Sequence, residues 1–198
     1  MKKLVLATTN HGKLVELRAL LSGKGVEVVS VAEASTTPFE VVEDGDTFVA
    51  NAIKKAKAAA ALTGLPSLAD DSGLEVDALG GAPGVRSARY AGEHATDAEN
   101  KAALLRALAK KTAPNGGYPA RFRCALALVD PSKDGDPLVV DGTCEGWVVL
   151  AEKGNGGFGY DPLFVVEGSE KTMAELSEAE KNRVSHRGKA LAKLLEKL

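Results

Sequence analysis

Short apolar runs alternate with longer amphipathic stretches along this chain, and that alternation limits its fold more than any other feature. Lys2 to Ala7 reads as a buried strand, Lys13 to Leu21 as a helix with Leu14, Leu17, Leu20 and Leu21 on one face, and Val26 to Val29 as a second strand. A polar stretch from Glu33 to Gly45 is expected to be loop. An alanine-rich helix follows from Thr47 to Leu62, stopped by Gly64 and Pro66. Ser67-Leu68-Ala69 is strand-like and runs into Asp70-Asp71-Ser72-Gly73. Gly80-Gly81-Ala82-Pro83-Gly84 can only be a shaped loop. Thr96-Asp97-Ala98-Glu99 is a capping box that opens a helix to about Lys110. Ala120 to Asp130 and Leu138 to Leu150 resemble a hairpin, Gly154 to Pro162 is loop, and Leu163 to Val166 is a strand. A second capping box, Ser177-Glu178-Ala179-Glu180, starts helix that runs to Leu198. The order is mixed rather than a strict β-α-β alternation. It predicts an α/β fold, a mixed central sheet flanked by helices, in a single domain with no linker.

Composition narrows the function. A chain of 198 residues with 44% apolar and 26% charged residues can bury a core, and its net charge of −2 argues against a dedicated nucleic-acid partner. The N-terminal apolar run, Leu4 to Ala7, is too short for a signal peptide, and no run approaches the roughly 18 residues of a membrane span. The expectation is a cytoplasmic protein with no membrane partner. Cys124 and Cys144 sit in strand-like segments without metal-site spacing. Buried thiols are expected there, with a disulfide or a catalytic cysteine as the alternatives.

Two motifs match by letter and fail on physics. Gly154-Asn155-Gly156-Gly157-Phe158-Gly159 fits the dinucleotide fingerprint, but Tyr160-Asp161-Pro162 and a strand follow it where a helix N-terminus is required. Gly12-Lys13 lacks the earlier glycine and the following hydroxyl of a P-loop. What survives is a strand, a polar turn and a helix start whose free N–H groups, with Lys13, suit an anion. The alternative is an ordinary N-capped turn.

Asp70-Asp71 stands at the predicted end of a strand with no basic residue nearby in sequence. This suggests a Mg2+ site rather than a salt bridge, since Mg2+ takes one or two carboxylates plus waters and substrate phosphates. A solvated turn is the alternative. Glu40, Glu43, Asp44 and Asp46 could supply a second ligand, although an acidic loop is usually just solvated. Lys181, Arg183, His186 and Arg187 form a basic helix face or, with Gly188, a kink that aims two donors inward. Phe158 and Tyr160 in a glycine-rich loop suit a stacking platform for a base.

Five motifs occur in order: Thr8-Thr9-Asn10-His11-Gly12-Lys13; Ala69-Asp70-Asp71-Ser72-Gly73-Leu74; Leu79-Gly80-Gly81-Ala82-Pro83-Gly84 with Ser87-Ala88-Arg89-Tyr90; Gly156-Gly157-Phe158-Gly159-Tyr160-Asp161-Pro162; and Ser185-His186-Arg187-Gly188. Together, and essentially end to end, the chain resembles the inosine triphosphate pyrophosphatase family, which clears ITP, dITP and XTP. The resemblance implies an elongated two-lobed subunit with a central nucleotide cleft, Mg2+ dependence and a homodimer. It implies that Thr8, Thr9, Asn10, His11, Gly12 and Lys13 hold the triphosphate, with no special role for His11. Glu43 and Asp71 become the metal ligands and Asp71 the catalytic base. Ser72 would contact phosphate, and Phe158, Gly159, Tyr160, Asp161, Lys181, His186 and Arg187 would frame the base. A Maf-type pyrophosphatase acting on modified nucleotides and a non-catalytic purine-nucleotide-binding regulator are the competing readings. The order of motifs opposes the first. The presence of Lys13, Asp70 and Asp71 opposes the second.

Overall fold

A computed structural model describes residues 3–113 and 116–198, so Lys2 of the expected first strand lies outside the described residues. Six strands form one mixed sheet in the order β2-β1-β3-β4-β5-β6. They are β1 (Lys3–Leu6), β2 (Glu27–Ser30), β3 (Ser67–Val76), β4 (Tyr118–Val129), β5 (Leu138–Val148) and β6 (Phe164–Val166). β1 pairs in parallel with β2 and with β3, while β5 and β6 pair antiparallel. The helices are α1 (His11–Leu21), α2 (Val31–Ala34), α3 (Phe48–Thr63), α4 (Asp97–Leu108), α5 (Glu178–Val184) and α6 (His186–Leu195).

Three features depart from the sequence-based expectation. β3 runs on to Val76, so the two aspartates lie inside a long strand and not at its end. The polar stretch after β2 begins with a helical turn, because Ser30 and Glu33 make a reciprocal capping box around Val31–Ala34. The C-terminal helical segment breaks at Ser185, whose ψ of 154° is extended, so His186 opens a new helix.

The chain divides into two compact units: Met1–Asp71, Cys124–Gly142 and Lys189–Leu198 form the first, and Ser72–Arg123 with Thr143–Gly188 the second. The divisions fall inside β3, β4, β5 and α6, which is why no linker composition marks them.

The first unit packs apolar residues on both faces of its strands. Leu4, Leu6, Leu68 and Leu126 meet Leu17 and Leu21 of α1 and Leu191 and Leu194 of α6. On the other face, Val5, Ala7, Ala69, Ala125 and Ala127 meet Ala52, Ala56 and Ala59 of α3. Small side chains on both partners let α3 lie close to the strands. Thr47 caps α3 by accepting from Ala50 N at 3.1 Å, and Gly64 closes it at φ 66°. The second unit's core joins Leu104 and Leu108 of α4 to Tyr118, Phe122, Val148, Phe164 and Met173. Its Tyr118 hydroxyl lies 2.9 and 3.0 Å from the carbonyls of Leu108 and Lys111, serving groups at the C-terminal end of α4.

Candidate active site

Side chains alternate along β3, so its neighbouring aspartates face opposite ways. Asp70 shares a face with Leu68 and meets Lys13, whose Nζ lies 2.5 Å from Oδ1, while the Cys124 thiol donates to Oδ2 at 3.0 Å. Asp71 shares a face with Ala69 and meets α3. There Lys55 Nζ donates to its Oδ1 at 3.0 Å and Asn51 Nδ2 to its Oδ2 at 3.2 Å. Lys55 also reaches Glu43 at 2.9 Å. Salt bridges are thus present where the sequence suggested a metal site instead of one: both aspartates are ion-paired, to lysines distant in sequence. The other acids of the loop stand apart. Asp44 pairs with Lys54 at 2.6 Å, and Glu40 and Asp46 are exposed.

Burial pushes the Asp71 carboxyl up to about 6, and Glu43 adds to this against the pull of Lys55 and Lys13. Burial is the largest single influence on Glu43 and would raise it, but the Lys55 charge, hydrogen bonds with Asp71 and Lys55 and the Lys13 charge together outweigh it and hold the carboxyl below its usual range. Burial would discharge Lys55, yet Asp71, Glu43 and Asp70 outweigh it and keep the ammonium charged. Two carboxylates already share one cation here, and a second cation would relieve what burial imposes on Asp71. The donor set is hard oxygen. Among the described residues no group of three or more His, Cys, Asp or Glu could form an all-protein metal cage. Two carboxylates completed by water and phosphate fit a Mg2+-like ion.

At the N-terminus of α1, Thr8 accepts from Asn10 N at 3.1 Å and Asn10 from Lys13 N at 3.0 Å. Thr9, Asn10 and His11 are exposed, and the first N–H groups of a helix have no intrahelical acceptor.

In the second unit, Asp161 is the centre of a different cluster. Its Oδ2 accepts from Phe158 N at 2.9 Å and from Lys181 Nζ at 2.6 Å. Lys181 Nζ and Arg187 Cζ stand 5.3 and 5.7 Å from the centre of the Phe158 ring. Arg187 is 1% exposed and donates to Ser72 Oγ at 3.1 Å. His186 lies flat on Phe122, ring centres 4.9 Å apart. Gly159 N donates to Asp97 at 2.7 Å. Tyr160 does not share the Phe158 platform: its ring is packed in the core and its hydroxyl donates to the Ser87 carbonyl at 2.8 Å. The free hydroxyl and open ring face expected of a stacking residue are absent at Tyr160, whose contacts anchor the loop. Both cysteines are buried and reduced.

Asn51, Lys55 and Cys124 join the site from positions that do not stand out in the sequence. The first two carried a signal: polar residues one helical turn apart, at the spacing of the buried alanines of α3. Cys124 gave none, since a thiol in an apolar strand normally packs as an apolar group.

The model of the Ham1 family matches residues 4–197. A dITP/XTP pyrophosphatase of Desulforamulus reducens is 54% identical over 194 residues, covering 98% of this chain and 94% of that protein. One from Salmonella typhimurium is 50% identical over 198 residues, covering 100% and 98%. A solved HAM1 protein from Coxiella burnetii superposes with a TM-score of 0.86 at 44% identity, covering all of both chains. With the family model spanning residues 4–197 and relatives about half identical from end to end, the conclusion is plain: this chain belongs to the Ham1 family.

Proposed function

We propose that this protein is a nucleoside-triphosphate pyrophosphatase that hydrolyses dITP, ITP and XTP to the nucleoside monophosphate and pyrophosphate. This removes non-standard purines before they enter nucleic acid. The observation that carries the reading is the ion-paired set Glu43–Lys55–Asp71, two carboxylates held around one buried ammonium in a chain similar over its whole length to dITP/XTP pyrophosphatases.

Glu43 and Asp71 would hold the divalent ion, which we read as Mg2+; when bound it neutralises phosphate oxygens and orients the triphosphate. Asp71, already raised by burial, takes or positions the proton of the attacking water. Lys55 balances the charge of the two acids and offsets charge building on the phosphates. The turn Thr8–Lys13 receives the triphosphate through backbone N–H groups and the Lys13 ammonium, with Ser72 as a further phosphate contact. In the second unit Phe158 offers a ring face to the purine. Gly159, Tyr160 and Asp161 shape that loop, and Lys181, His186 and Arg187 supply donors for the oxygen at C6 of hypoxanthine and xanthine. Buried donors would be left facing the amino group of adenine, a mismatch worth roughly 10⁴-fold or more. We read the working form as a homodimer on a small-molecule nucleotide, with no nucleic-acid or membrane partner. Among the described residues no helix is long and apolar enough to cross a membrane.

Pyrophosphate release across ITP, dITP, XTP, ATP and GTP tests this. Turnover of the first three far above the last two is expected. Tight ITP binding without turnover would mark a regulator instead.

A further inference from the structure

We propose that Asn51 is a positioning residue that fixes Glu43 relative to Asp71, with Gly45 as its docking point. The inference rests on reading those two acids as the metal ligands. Glu43 sits in a loop, residues 35–46, without helix or strand to hold it. One fully buried amide ties that loop directly to Asp71. Asn51 Oδ1 accepts from Gly45 N at 2.8 Å, and Nδ2 donates to the Gly45 carbonyl at 3.4 Å and to Asp71 Oδ2 at 3.2 Å. A carboxylate only accepts, so the NH2 end must face Asp71 and the oxygen must face the Gly45 N–H. The amide meets both demands with separate atoms, its oxygen for the one and its nitrogen for the other. Aspartate would lose the donor and set a like charge against Asp71.

Gly45 is there for space. Its φ lies outside the left-handed region, but a Cβ would stand 2.6 Å from Asn51 Oδ1 and 3.0 Å from Ala50 Cβ. Lys55, one turn along α3, contacts both Glu43 and Asp71. A lysine on a four-carbon stem balances charge without fixing geometry, whereas the planar amide, held at both ends, sets the loop two residues after Glu43.

Mn2+ binding to the nucleotide-free protein, followed by the loss of the free-ion paramagnetic resonance signal, tests this alongside the metal dependence of ITP hydrolysis. Asn51→Ala and Gly45→Ala are expected to weaken Mn2+ binding about tenfold or more, with KM for ITP at saturating metal nearly unchanged. Asp44→Ala, on the same loop but facing Lys54 and solvent, keeps its affinity. Should Asn51→Ala fail to fold, as read by thermal unfolding, Gly45→Ala carries the comparison. Wild-type affinity in the Asn51 and Gly45 variants, while Asp71→Asn has lost the metal, overturns the role of Asn51 alone. So does an equal loss in Asp44→Ala, or a KM that rises in step with the metal constant. Undiminished Mn2+ binding by Asp71→Asn overturns the metal-site reading itself, and the inference falls with it.

Discussion

Two adjacent aspartates with the same chemistry hold different positions because a strand turns them to opposite faces, and single substitutions should separate their roles. Asp71→Asn keeps the shape but can neither take a proton nor bind a cation well. We expect folding to survive and turnover with ITP to fall by about 10²-fold or more; steady-state rates within a few-fold of wild type would remove Asp71 from the chemistry. Asp70 has no exposed side-chain surface, and Lys13 is its ionic partner. Lys13→Ala should therefore cost about 3 kcal/mol in urea unfolding by stranding a buried charge, besides weakening triphosphate binding. Adding Asp70→Asn should restore most of that stability and none of the activity. If the double variant is no more stable than Lys13→Ala, the pair does not hold that part of the fold.

Elements place these residues through their ends. The break between α5 and α6 brings His186 and Arg187 to the start of a helix, and it needs Gly188: a Cβ there would stand 1.9 Å from the Asn182 carbonyl oxygen. Gly188→Ala must displace backbone, so we expect about 1–3 kcal/mol of destabilisation and a narrower preference for ITP over ATP. An unchanged preference would show that the break does not aim those donors. Capping boxes respond to pH. The Thr96 N–H, 2.7 Å from Glu99 Oε2, and then the Thr96 hydroxyl hold the Glu99 carboxyl below its usual range. Because the folded value is the lower one, Glu99 contributes stability that is present above the ordinary value of 4.5 and lost as pH falls through its depressed one. The urea midpoint of wild type should accordingly fall more steeply below pH about 4.5 than that of Glu99→Gln; parallel curves would contradict it. This box was legible in the sequence, as were the alanine-rich helix and the strand leading into the aspartates, because caps and periodicity are local. The extension of β3 to Val76 was not, since glycine and serine after two acids read locally as a turn while pairing in the sheet overrides that preference.

For the whole molecule, the same divide between local and distant information recurs. The mixed α/β sheet and the five motifs are written in runs of a few residues. The ion pairs Lys13–Asp70 and Lys55–Asp71 join positions 57 and 16 residues apart, and the aspartates stood without partners until the fold supplied them. The two units left no mark either, because the chain passes between them inside continuous strands and a helix. The central claim, cleavage that releases pyrophosphate, is tested most directly by phosphorus resonance of ITP incubated with the protein and Mg2+. We expect inorganic pyrophosphate and inosine monophosphate to rise in equal amounts, with the reaction stopped by a chelator. Orthophosphate with inosine diphosphate, or an unchanged triphosphate spectrum, would contradict the account.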